Sequence, residues 1–205
     1  MTRRKEWFPV SLIISVVGSN FCILGADKRH ISIADDGSIS GVLSDNTHKI
    51  FRLSQDILYG CSGLLCKDED YLDPFKDFIH PDKITMRTAA KALECYAAQA
   101  NTMQRTSRQY ILCGRDNKGR FCQYILSSAT SFTPEWTFPE GAQQSVKLLG
   151  PACVQTDPSI AQECLYQNTP WTTSTELKYR ICNTIRAYAK VDWTIGGEPE
   201  LLVLT

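Results

Sequence analysis

The chain has 205 residues, 43% of them hydrophobic, with 22 basic and 22 acidic side chains and a formal net charge of zero. That length suits one domain with a sizeable core. With no basic stripe interleaved with aromatics, it gives no electrostatic footprint for a nucleic-acid partner. The nine cysteines are odd in number and lack any Cys-x-x-Cys pair, which fits reduced core thiols in the cytoplasm better than disulfides or zinc.

At the N-terminus, Arg3-Arg4-Lys5 followed by the apolar residues 8–17 has the outline of a signal peptide. Glu6 interrupts the basic start, Pro9 breaks the run, and no small-x-small cleavage site follows. No apolar stretch nears the ~18 residues of a membrane span, so neither secretion nor a membrane partner is expected. Residues 12–17, the turn Gly18-Ser19-Asn20 and residues 21–26 predict a hairpin with a three-residue loop. Centred on Ser19, that hairpin sets Ser11 opposite Asp27, and directly opposed Cβ atoms lie roughly 4.5–5.5 Å apart. A hydroxyl beside a carboxylate is the start of a site.

The segment from Lys49 to Leu53, the turn Ser54-Gln55-Asp56 and residues 57–63 predict a second hairpin, with Lys49 and Gly63 at its open end. Shared in one sheet, the two hairpins gather a nucleophile (Ser11), an orienting anion (Asp27), a cation that lowers a neighbour's pKa (Lys49) and a backbone oxyanion donor near Gly63.

Residues 82–104 predict a long helix opening on Asp82, with Ile84, Ala89, Ala92, Leu93 and Tyr96 as its buried stripe. Residues 109–113 and 120–126, joined by Asp116-Asn117-Lys118-Gly119, predict a third hairpin, and 127–143 reads as loop. Residues 144–149 read as a strand, 158–168 and 172–190 as helices, and 200–205 as a closing strand. This order predicts an α+β fold: a four-layer αββα sandwich with two antiparallel sheets face to face and helices outside. His30, His48 and His80 have no metal-ligand or triad spacing, so no metal or other cofactor is expected.

The motifs Ser11, Ala26-Asp27-Lys28-Arg29, Lys49, Gly63 and Asp192-Trp193-Thr194-Ile195-Gly196-Gly197 together resemble the proteasome β-type subunits, members of the N-terminal-nucleophile (Ntn) hydrolases. In that family a Thr begins the mature chain, and an Asp, a Lys, a Gly and a second Asp complete the site. The resemblance implies the αββα fold over residues 11–205, residues 1–10 as a short extension or propeptide, and peptide-bond hydrolysis by Ser11. By the same resemblance Asp27, Lys49, Gly63 and Asp192 complete the catalytic set, while Thr47, Cys61 and Leu65 line the substrate pocket. It further implies a peptide or unfolded-protein substrate, a homo-oligomeric ring of six or seven subunits, single or double, and an ATP-driven unfoldase as an optional partner. Pro151 and Ile195 stand where the family carries serines.

The chemistry requires cleavage between Val10 and Ser11. Only a free α-amine, with a pKa near ~7.7–8.0, can serve as base for its own hydroxyl. Val10 is β-branched and stiff where family propeptides present Gly. Three readings stay open: a peptidase, a non-catalytic ring subunit that keeps residues 1–10, and an amidase acting on small amides.

Overall fold

The computed structural model describes residues 11–33, 39–63, 70–76, 84–102, 108–141, 143–166 and 173–205, with the backbone alone at 100–102. Strands β1 (Ile13–Val17) and β2 (Cys22–Ala26) form the first hairpin. Strands β3 (His30–Ile33) and β4 (Ile39–Ser44) form a separate ribbon, and β5 (Ile50–Ser54) and β6 (Ile57–Gly63) follow. After helix α1 (Met86–Thr102) come β7 (Arg108–Arg115), β8 (Phe121–Ser127), β9 (Glu135–Thr137) and β10 (Ser145–Leu149). The chain closes through the short helices α2 (Ala152–Thr156) and α3 (Ser159–Ala161), the long α4 (Ser174–Val191) and β11 (Glu200–Leu204).

These strands make three antiparallel sheets, ordered β10-β1-β2-β11, β3-β4 and β5-β6-β7-β8-β9. The expected four-layer αββα sandwich of two sheets flanked by helices is thereby corrected. The protein is sheet-rich, its strands divide among three sheets, and α1 and α4 are the only long helices among the described residues. The reading of 127–143 as loop is corrected too, because β9 lies within it and extends the five-stranded sheet. Trp136 of β9 packs on Tyr124 at 4.7 Å between ring centres.

The core follows from period-2 alternation. Ile13 and Val17 face one way, onto Leu58, Ile111 and Ile125 of the five-stranded sheet, while Leu12, Ile14 and Val16 face Leu177, Ile181 and Ile185 of α4. Both faces of β1 and β2 are thus buried, and each such Ile or Leu contributes about 1.5–3 kcal/mol of burial. Ala89, Leu93 and Ala97 of α1 cover Tyr59, Leu112 and Tyr124 on the opposite face of the larger sheet. Where α1 is described, Thr85 caps it: Thr88 N–H donates to Thr85 Oγ1 at 3.2 Å, and Thr85 N–H to Thr88 Oγ1 at 2.8 Å. Asp82 lies outside the described residues. No helix among the described residues is long and apolar enough to cross a membrane.

Candidate active site

Ser11 lies two residues before β1, and it is 2% exposed. The register of that hairpin pairs Ile13 with Ala26 and Val17 with Cys22, so Leu12, not Ser11, stands opposite Asp27. The turn explains the one-residue shift. Gly18 N–H donates to Phe21 O at 2.9 Å, which leaves a two-residue loop of Ser19 and Asn20 in place of the expected three. Asp27 still reaches the start of β1 through its side chain: Leu12 N–H donates to Asp27 Oδ1 at 2.8 Å.

Four donors converge on the Asp27 carboxylate, which is fully buried. Besides Leu12 N–H, they are Arg29 N–H at 3.1 Å, Gly196 N–H at 3.2 Å, and Lys49 Nζ at 2.9 Å from each oxygen. A carboxylate so completely engaged is fixed in position. Lys49 is equally committed, since its ammonium also donates to Arg29 O at 2.5 Å and so uses all three of its protons. Burial pulls the Lys49 pKa below that of an ordinary amine while Asp27 pulls it back up. The pair is therefore a fixed, fully buried ion pair tied to the start of β1 through the Leu12 amide.

Local sequence explains the convergence. Lys49 precedes β5 and bonds through its carbonyl to Cys61 N–H at 3.1 Å, which closes the open end of the second hairpin, and its side chain reaches the first hairpin at Asp27. Gly63 ends β6 at φ 121°, a backbone region that favours glycine. Gly196 comes so close to Arg29 that a Cβ there would lie 2.5 Å from Arg29 Cζ. Arg29 in turn donates from Nη1 to Trp193 O at 2.7 Å and from Nε to Asp45 Oδ1 at 2.6 Å, clamping the turn after α4 against the turn after β2.

Asp192 caps the C-terminus of α4, half-buried, and does not join Asp27 and Lys49 directly. Its Oδ1 accepts from Thr194 N–H at 2.9 Å and Thr194 Oγ1 at 2.6 Å, and its Oδ2 accepts from Cys153 Sγ at 3.2 Å. Its link to the buried pair runs through the turn it caps, where Ile195 N–H returns to Asp192 O at 3.1 Å and Gly196 N–H reaches Asp27.

Of the expected pocket residues, Thr47 is half-buried and donates its N–H to Lys28 O at 3.0 Å. Cys61 is 2% exposed in the apolar layer under α1, with Tyr71 and Phe75. Leu65 lies outside the described residues, as do residues 1–10. An open groove of about 620 Å³ between Asp73, Lys76 and the α1 residues Lys91, Cys95 and Gln99 contains none of the expected site residues.

Sequence reasoning missed three participants. Ser62 Oγ donates to Ser11 O at 2.6 Å, so the Ser11 carbonyl is tied on one side while the next amide is tied by Asp27. Thr194 could have been found from the Asp-x-Thr spacing, an Asx-type turn signal. Cys153 carried no local signal, because the contact joins α2 to the end of α4 across the chain. No family model and no curated protein sequence matches the chain.

Proposed function

We propose that this protein is an Ntn-type amide hydrolase, similar to a proteasome β-type subunit, with Ser11 as its nucleophile once residues 1–10 are removed. The observation that carries the reading is the junction of Ser11 with a buried, fully bonded Asp27 and Lys49 through the Leu12 amide. The reading rests on this site and not on a layer architecture.

In the maturation step Ser11 Oγ attacks the Val10 carbonyl, the Val10–Ser11 C–N bond breaks in an N-to-O shift, and water hydrolyses the resulting ester. The products are a Val10 carboxylate and a free Ser11 amine. In turnover that amine takes the Ser11 hydroxyl proton as Oγ attacks a peptide carbonyl, then gives it to the leaving amine; water, deprotonated by the same amine, hydrolyses the acyl-enzyme. Lys49 stabilises the anionic character developing at Ser11, and the N–H near Gly63 receives the oxyanion. Asp27 fixes Lys49, and Asp192 orients the turn behind it. The substrates are peptides or unfolded chains, processed in a ring of identical subunits, with an unfoldase as feeder. The eight cysteines among the described residues are free thiols, which supports a cytoplasmic setting.

A second reading has its own support. Ser11 is 2% exposed, and Val10 stands where a pliable residue would assist self-cleavage. In that reading residues 1–10 stay attached and the subunit is non-catalytic. Intact mass with N-terminal sequencing separates the two: a chain beginning at Ser11 in the wild type but not in Ser11→Ala is expected for the hydrolase. A wild-type chain that retains residues 1–10 and hydrolyses no peptide establishes the non-catalytic subunit. Turnover of small amides in place of peptides would move the assignment to an amidase.

A further inference from the structure

Arg29 joins the buried ion pair to a carboxylate outside it. Its backbone serves both members of the pair: the N–H donates to Asp27 Oδ2 at 3.1 Å, and the carbonyl accepts from Lys49 Nζ at 2.5 Å. Its side chain turns the other way, with Nη1 donating to Trp193 O, and Nε and Nη2 donating at 2.6 and 3.0 Å to the two oxygens of Asp45. Such a two-bond fork fixes a guanidinium in plane and direction, which a single bond does not. Asp45 directly follows β4, four residues before Lys49. Its backbone packs on the turn after α4, where Gly197 sits at φ 73° and a Cβ would overlap Asp45 O. Residues 27–29, 45–49 and 193–197 thus meet around one guanidinium.

We propose that Asp45 is a positioning residue of this site: by holding the Arg29 guanidinium in a fork, it fixes the Arg29 backbone that orients both Lys49 Nζ and the Asp27 carboxylate. Asp45 is not among the motif residues that carry the family resemblance. Charge supports its role. Burial and the nearby Arg29 cation depress the Lys49 pKa, while Asp27 and then Asp45 oppose them, so Asp45 offsets the repulsion between the two cations. The groups whose charge acts on Lys49 are Asp27, Arg29, Asp45 and, in its protonated form, His30. The Asp45 side chain is 49% exposed and that of Arg29 23%, which limits the strength of the fork to that of a surface pair. The consequence for catalysis rests on the reading of Ser11 as nucleophile; the positioning itself does not.

The buried ammonium of Lys49, followed through its 15Nζ NMR signal in the full chain, tests the positioning directly. Asp45→Asn keeps the shape and removes the charge; it is expected to shift or broaden that signal while the urea midpoint barely moves. Asn46→Ala breaks the neighbouring bond of 3.1 Å from Lys28 Nζ and is expected to leave the signal in place. In peptide turnover Asp45→Asn should lower kcat about two- to fivefold at unchanged KM, the ceiling that a surface ion pair sets, and Asp45→Glu should recover part of the loss. A Lys49 signal unmoved by Asp45→Asn, or moved as far by Asn46→Ala, or a kcat untouched by Asp45→Asn, would overturn the proposal. A wild type without turnover whose Lys49 signal still moves in Asp45→Asn would retire Ser11 as nucleophile and uphold the positioning.

Discussion

Lys49 Nζ lies 2.9 Å from both carboxylate oxygens of Asp27, and neither side chain has any solvent exposure. Breaking such a pair from one side leaves an uncompensated buried charge, which costs about 3–5 kcal/mol. Asp27→Ala also orphans the N–H groups of Leu12, Arg29 and Gly196, so its loss should fall at the upper end of that range. Asp27→Leu combined with Lys49→Met removes both charges and should be less harmful than Asp27→Ala. Urea unfolding of the two variants beside the wild type compares these losses, and an Asp27→Ala midpoint equal to that of the wild type would sink this account of the site.

His30 supplies a pH dependence with a definite sign. Burial, and then the Lys49 charge, hold its pKa below the ordinary 6.5. As pH falls, the unfolded chain takes up the His30 proton first, so the unfolded state binds more protons between the folded value and 6.5. Stability from neutral His30 is full above that window and declines as pH drops through it. Urea midpoints at about pH 7.5 and about pH 5 should differ more in the wild type than in His30→Asn. Equal differences would mean that His30 does not feel Lys49 or the protein interior.

Ser62 acts on the backbone of Ser11, the proposed nucleophile. Its hydroxyl donates to Ser11 O at 2.6 Å in a fully buried position, and Ser62→Ala leaves that carbonyl without this partner. A loss of about 1–3 kcal/mol in stability is expected. Release of residues 1–10, followed by mass spectrometry over time, should slow in the same variant because the carbonyl next to the attacking hydroxyl is no longer held. Unchanged release with unchanged stability would remove Ser62 from the site.

Much of this organisation was legible in the sequence because it rests on local signals. The turn at Asp116 to Gly119 closes its hairpin as composition predicts, with Gly119 N–H on Asp116 O at 3.0 Å and Gly119 at φ 76°. The α4 stripe of Leu177, Ile181 and Ile185 is buried as its helical period requires. The one-residue error at Ser11 arose because Gly18-Ser19-Asn20 composition does not distinguish a two-residue loop from a three-residue loop; the Gly18 to Phe21 bond does. The β3–β4 ribbon escaped notice because its strands are short, Gly41 sits inside β4, and two register shifts in the ladder break any period-2 apolar pattern. It is this ribbon that replaces the two-sheet expectation with three sheets. Cys153 and Asp192 meet only when α2 and α4 are folded, a relation no spacing along the chain encodes.

That Cys153 contact makes a prediction of its own. Burial, followed by the Asp192 carboxylate, pushes the Cys153 thiol up to about 12, so at neutral pH it stays protonated and donates to Asp192 Oδ2. The thiolate is the form that alkylates, so iodoacetamide should modify Cys153 far more slowly than the exposed Cys95, as peptide mapping can follow. Asp192→Asn removes the charge that holds the proton in place and should speed Cys153 modification without affecting Cys95. Cys153→Ser keeps a donor for Asp192 and should unfold close to the wild-type midpoint, whereas Cys153→Ala should lose about 1 kcal/mol. Alkylation of Cys153 as fast as Cys95, or equal stability of the Ser and Ala variants, would show that Thr194 alone fixes the Asp192 carboxylate.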